Sequence, residues 1–174
     1  SSYSTSFLKH AENYVDMIVE RLSLDKNSRV AEIASNDGYL LQYFLKYEIP
    51  CYGIEPSTGP SRIAKQKGIE IVEEYFGLEQ ANLLSMDRKS DLIIGNNVFA
   101  HVPDINDFVG GMKILLKPNG VITLEFPHLM ELVENNQFDT IYHEHFYYFS
   151  LTSVNEVMKK HQLQVFDVEQ IAIH

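Results

Sequence analysis

Apolar side chains recur at helical spacing from Leu8 through Ala11, Val15 and Ile18 to Leu22, and Tyr14 and Val19 widen the stripe. That spacing predicts an opening amphipathic helix. From residue 29 the pattern shortens into compact apolar runs. RVAEIA (29–34), CYGIE (51–55), IEIVEEY (69–75), DLIIGN (91–96) and VITLEF (121–126) read as strands. Helical or turn-forming segments separate them. Asn36-Asp37-Gly38 is a turn that leads into YLLQYFLK (39–46), which is helical in composition. PSTGP is a turn followed by the short helix SRIAKQK, and LEQANLL (78–84) is another helix. Asp104 can cap a helix that buries Ile105, Phe108, Val109, Met112 and Leu115; Asp107, third in that helix, suits its positive end. Pro118-Asn119-Gly120 turns the chain into VITLEF. After a less regular stretch, LTSVNEVMKKH (151–161) reads as helix and LQVFDVEQIAI (163–173) as strand.

Strands alternating with helices of similar size predict an α/β fold: a doubly wound, mostly parallel sheet with helices on both faces. At 174 residues, with no linker or internal repeat, the chain is expected to be one domain spanning 1–174. The net charge of −10 argues against a nucleic-acid or anionic-membrane surface, both of which need clustered Lys and Arg. No apolar run reaches transmembrane length, and SSYSTSFLKH has no signal-peptide core or cleavage site. The single cysteine, Cys51, cannot form an internal disulfide or a Cys-based zinc site, and it opens an apolar run as a core thiol would. A cytoplasmic protein, monomeric or weakly dimeric, is expected. The chain lacks an initiator Met and ends inside an apolar segment, so a piece of a longer protein is expected.

In open α/β sheets, ligands bind beyond the carboxyl ends of the strands, where strand order reverses. The first such turn is EIASNDG, with Glu32, Ala34, Ser35, Asn36, Asp37 and Gly38. A dinucleotide site would want G-x-G-x-x-G there, and only one glycine is present. Two carboxylates beside a pyrophosphate would repel it. They suit a ligand with a positive centre and no phosphate, and S-adenosylmethionine fits. Glu55, before Pro56 at the end of the second strand, is placed to accept from both ribose hydroxyls, and a charged acceptor strengthens such bonds. Tyr75 and Phe76 are placed to flank adenine, and the backbone around Asn96 and Asn97 to hold the methionine moiety. Each residue also has an ordinary reading: Glu55 as a solvated turn residue, Asp37-Gly38 as a common turn dipeptide, Tyr75 and Phe76 as core. The combination at successive strand ends favours the cofactor.

DTIYHEHFYYF (139–149) packs Tyr142, His143, Glu144 and His145 together. It can be read as a metal site, as a base with its helpers, or as an aromatic core segment with exposed histidines. Against metal, alternate strand residues share a face, so Glu144 would point away from the histidines, and no H-x-x-x-H occurs. No metal is expected.

VAEIASNDGYLLQYF resembles the first motif of the sugar C-methyltransferases, which methylate a carbon of a nucleotide-linked 4-keto-6-deoxysugar. The resemblance continues through GIEPS, NNVFAHVPDINDFV, LLKPNGVITLEFP and FDTIYHEHFYYFSL, and SSYSTSFLKHAENYV is similar to the segment entering the family's first core helix. It implies the class I methyltransferase fold, S-adenosylmethionine as cofactor and a small nucleotide-sugar substrate. It also implies an N-terminal zinc-binding segment and a C-terminal α/β domain outside this chain. The family's catalytic base is a histidine of the YHEH motif, by position His145, with Tyr142 and Glu144 as substrate-contacting neighbours. His143 and His101 are the spare candidates. Where the family commonly has Gly, this chain has Ala34, so the loop is expected to run at ordinary dihedrals there. An O- or N-methyltransferase of the same fold and a non-catalytic adenosyl-nucleoside-binding domain are the alternatives.

Overall fold

The computed structural model describes residues 4–137, 139 and 141–171. Five strands form one wholly parallel sheet in the order β3-β2-β1-β4-β5. They are β1 (Val30–Ile33), β2 (Cys51–Ile54), β3 (Glu70–Val72), β4 (Ser90–Asn96) and β5 (Leu116–Glu125). The chain runs from β1 outward to β3, then returns to place β4 on the other side of β1. The β1/β4 junction is therefore the point where strand order reverses, and the carboxyl edge there is the expected ligand edge.

Alternation along each strand sorts the core into two layers. Val30, Leu92 and Ile94 face a layer built from α1 (Thr5–Leu22), α2 (Gln42–Leu45) and α3 (Thr58–Gln66). Ala31, Ile33, Ile54 and Ile93 face the layer of α4 (Leu78–Leu84), α5 (Ile105–Leu115) and α7 (Leu151–Lys160). The opening stripe does what its spacing requires: Ala11, Val15 and Ile18 are buried. Asp104 caps α5 by accepting from the amides of Asn106 and Asp107. Asp107 also accepts from the Leu78 amide, which ties the start of α4 to α5.

Several expectations change in detail. The helix over 39–46 shrinks to the single turn of α2, because Asn36 and Gly38 both take positive φ before it. β3 is confined to Glu70–Val72. The turn at 118–120 lies within the bounds of β5. Ser90 pairs with Leu116 but Leu92 pairs with Val121, so the extra residues bulge out of the ladder, with Asn119 at φ 64°. The strand expected over 163–173 is absent among the described residues, which reach 171. A strand exists only by pairing, and these residues join no ladder. Leu163 and Val165 pack against the core, while Phe166 and Val168 are exposed. The stretch after β5, which had no regular pattern, contains α6 (Leu129–Glu134), capped by His128.

Candidate functional site

The turn after β1 is tightly built. Ala34, Asn36 and Gly38 all take positive φ (57°, 53° and 70°). For Ala34 this corrects the expectation of ordinary dihedrals. The left-handed conformation is held by the Ala34 amide, which donates to the Ile54 carbonyl at 2.8 Å, and tertiary bonding outweighs the intrinsic penalty. Ser35 is wholly buried and lies on β2, where a Cβ at Gly53 would come within 2.6 Å of the Ser35 Cβ. At Gly38, a side chain would press on Ala64 of α3.

Glu55 is only 7% exposed, which removes its reading as a solvated turn residue. Its two carboxylate oxygens accept separately from the Asn36 amide (3.1 Å) and the Ser57 amide (2.9 Å). The Ser61 hydroxyl, also buried, donates to the Glu55 carbonyl. The carboxylate is thus aimed by two turns at once, and each oxygen keeps a lone pair for a ligand hydroxyl. Pro56 is half-buried beside it. Glu32 is fully buried on β1. Burial first, and then the charges of Asp37 and Glu55, hold its carboxyl well above the usual range. Glu32 Oε2 and Ser35 Oγ are buried with no hydrogen-bond partner among the described residues. Asp37, 6% exposed, has Lys67 Nζ on its carbonyl at 2.8 Å. Cys51 packs on the same layer as β1, and burial pushes its thiol up to about 12, so it is a core group rather than a nucleophile.

Tyr75 and Phe76 separate. Tyr75 is 83% exposed, whereas Phe76 packs edge-on against Phe108 at 5.5 Å. Asn96 ends β4 opposite Glu125, and Asn97 follows at φ 53°.

The YHEH segment lies at the same carboxyl edge. The Phe146 amide donates to the carbonyl of Ala100, in the 3-10 turn Phe99–His101 just after β4. The Tyr142 hydroxyl is 3.0 Å from His145 Nε2, and the two rings are 4.2 Å apart. His101 meets the His145 ring edge-on at 4.6 Å. Partial burial, and then the neighbouring His145, hold His101 below its ordinary pKa, partly offset by Glu144. His143 and Glu144 are exposed. A purely structural reading would bury Tyr142, Phe146 and Phe149. Only Phe149 is buried, stacked on Phe99 at 4.5 Å; Tyr142 and Phe146 are 42% and 58% exposed. Asp139 is described, whereas Phe138 and Thr140 of the motif lie outside the described residues.

Sequence reasoning missed one cluster. Glu125, at the end of β5, pairs with His10 of α1 at 2.9 Å, and Tyr14 bonds Thr123 at 2.6 Å. The signal was present: Thr123 and Glu125 are polar positions of one strand face, and His10 and Tyr14 stand one helical turn apart.

Comparison with known proteins agrees with this geometry. Residues 7–168 match the family model described as Methyltransferase domain. The chain is 36% identical over 175 residues to the C-methyltransferase NovU of Streptomyces niveus, covering all of this chain and 42% of that protein. It thus spans less than half of that relative's length. A solved methyltransferase from Thermotoga maritima, described as a possible histamine N-methyltransferase, superposes with a TM-score of 0.60 at 22% identity, covering 77% of this chain and 62% of that one. Coclaurine N-methyltransferase bound to N-methylheliamine and S-adenosylhomocysteine superposes with a TM-score of 0.53 at 15% identity, covering 66% and 35%. At these identities the solved structures establish the fold, that of the class I methyltransferases.

Proposed function

This chain belongs to the methyltransferase-domain family and is an S-adenosylmethionine-dependent methyltransferase domain; from that premise we propose that it methylates a carbon of a nucleotide-linked 4-keto-deoxysugar, with His145 as the base. The observation that carries the reading is the Tyr142–His145 pair at the carboxyl edge of β4, the Tyr142 hydroxyl 3.0 Å from Nε2.

The residues at the edge fit the methyl donor. Orphaned buried polar atoms on Glu32 and Ser35 lie beside the Asp37 and Glu55 carboxylates, a setting that welcomes a cationic centre and repels a phosphate. In this assignment Glu55 accepts from the ribose hydroxyls, Phe76 and Tyr75 border the adenine, and the Asn96-Asn97 turn holds the amino-acid end. When bound, the donor supplies an electrophilic methyl group on a positively charged sulfur.

The acceptor carbon must first become nucleophilic. A ketone beside it makes its proton acidic enough for a side-chain base, and the resulting enolate oxygen needs hydrogen-bond donors. Neutral His145 takes that proton. In this scheme His145 Nε2–H donates to the Tyr142 oxygen, which leaves Nδ1 as the base and the Tyr142 hydroxyl proton free for the enolate oxygen, and Glu144 accepts from a sugar hydroxyl. The His101 ring meets the His145 ring edge-on at 4.6 Å and helps to fix its orientation. In-line placement of carbon, methyl and sulfur then supplies much of the rate.

The test is deuterium exchange at the carbon beside the ketone of a nucleotide-linked 4-keto-deoxysugar, run with the full-length protein. Exchange that disappears in His145→Ala supports the reading. Methyl transfer without exchange at that carbon overturns it in favour of methylation on oxygen or nitrogen.

A further inference from the structure

The α1–β5 joint carries more polar chemistry than helix docking needs. His10 and Tyr14 lie one turn apart on one face of α1. Thr123 and Glu125 lie two residues apart on one face of β5. Ala11, Val15 and Ile18 already bury the helix in the core, and the Tyr14–Thr123 bond already closes the polar seam. A partly buried imidazole–carboxylate hydrogen bond adds little net stability, because desolvation offsets attraction. Yet His10 and Glu125 are paired at 2.9 Å, with side chains only 22% and 16% exposed.

Glu125 has a second set of contacts. Its other carboxylate oxygen accepts from Asn97 Nδ2 at 3.3 Å, and its carbonyl accepts from the Asn97 amide at 2.7 Å. Asn97 takes a left-handed φ of 53°, so the turn leaving β4 is held in an uncommon shape by one residue from two directions. That turn is where the donor's amino-acid end was assigned.

We propose that Glu125 is a positioning residue for the methyl donor: it fixes the Asn96-Asn97 turn in its receiving shape, and His10 fixes Glu125. The inference rests on the donor assignment above. It makes α1 part of the binding machinery: His10, more than 80 residues before the turn in sequence, acts on it through Glu125.

The probe is S-adenosylhomocysteine, titrated calorimetrically into the full-length protein and its variants. Glu125→Ala is expected to weaken binding about tenfold, the scale of losing a charged hydrogen-bond acceptor. Glu125→Gln keeps an acceptor for Asn97 and a donor for the His10 ring, and is expected to stay within about threefold. His10→Ala leaves the Glu125–Asn97 bonds in place and is expected to cost about threefold. Thr123→Val breaks the parallel bond at the same joint and is expected to lower the melting temperature without weakening binding. Glu55→Ala is the control on the donor assignment. Unchanged affinity in both Glu125→Ala and His10→Ala, with affinity lost in Glu55→Ala, overturns the positioning role alone. Unchanged affinity in Glu55→Ala as well overturns the donor assignment and this inference with it. If Glu125→Ala does not fold, His10→Ala decides, and no weakening there overturns the proposal.

Discussion

The turns after β1 and β2 and the segment 141–149 share one edge of the sheet but are built on different principles. In the first region Glu32, Ser35, Asp37 and Glu55 are all under 10% exposed, and Glu55 is gripped by two backbone amides. In the second, Tyr142 and Phe146 are 42% and 58% exposed, and His143 and Glu144 face solvent. In the proposed assignment the first region is the donor side, and it is preorganised: its polar groups are fixed before any ligand arrives, at the expense of burying carboxyls and twisting three residues into positive φ. The proposed acceptor side is anchored through its backbone and its aromatic end, by the Phe146–Ala100 bond, the Tyr147 hydroxyl on the Pro103 carbonyl and the Phe149–Phe99 stack, while its polar side chains stay open. A rigid half suits a constant ligand, and an open half suits acceptor chemistry that differs from enzyme to enzyme.

The sharpest way to break this comparison is a substitution that silences one half and spares the other. His145→Ala is expected to lower methyl transfer by about 10²–10⁴-fold, the range of a lost general base. Binding of S-adenosylhomocysteine should be unchanged, since His145 packs against His101, Tyr142 and Tyr148, none of which is assigned to the donor. Calorimetry and single-turnover transfer on the same preparation check both halves. A parallel loss of donor affinity would show that the halves are not separate.

How much of this was readable beforehand follows the same division. The strands were legible because buried parallel strands are short apolar runs, and VAEI, CYGI and SDLIIGN stand between turn residues. Glu32 and Glu55 were legible because charge at the end of such a run is costly to bury. The bonds that aim Glu55 were not: Asn36 and Ser57 contribute backbone amides, which leave no mark on residue identity. His10 and Glu125 are more than 100 residues apart and meet only once the sheet is assembled. The apolar run 163–173 reads as a strand because local composition carries no information on whether a neighbouring strand offers a free edge.

The next largest effect tests the packing of the donor side. Gly53→Ala would drive a Cβ into the Ser35 side chain, with its Cβ at 2.6 Å, and against the flexible end of Ile71. Overpacking of this kind costs about 1–3 kcal/mol, read as a drop in the chemical-denaturation midpoint at constant slope. Adding Ser35→Gly should recover most of the loss, because the two sites share one contact. Independent, additive losses would mean that the turn does not rest on Gly53.

Glu32 adds a pH signature. Burial holds its folded-state pKa well above the ordinary 4.5, so over that range the folded protein binds a proton that the unfolded chain has released. Stability is therefore fully present below about pH 4.5 and falls as pH rises toward the folded pKa, with a limiting slope of about 1.4 kcal/mol per pH unit. Glu32→Gln is expected to flatten that fall. Unfolding curves of both proteins at pH 5, about 6.5 and about 8 check it. A parallel pair of profiles would place the titration on another group.

The smallest effect isolates the backbone strain of the donor side. Ala34 sits at φ 57°, in the region that costs a residue with a Cβ about 1–2 kcal/mol relative to the right-handed form. Glycine adopts that φ freely but gives up about 0.5–1 kcal/mol to the larger entropy of its unfolded chain. The difference predicts that Ala34→Gly raises stability by about 0.5–1 kcal/mol. Because the Ala34 amide bond to Ile54 is main-chain, it survives the change, and the donor site should keep its shape. Denaturant unfolding gives the stability, and S-adenosylhomocysteine titration reports the shape. Increased stability with unchanged affinity means the twist is a cost the scaffold absorbs without using it. Increased stability with weakened affinity means that the alanine helps confine the turn, and that the strain itself is part of how the donor side is held ready.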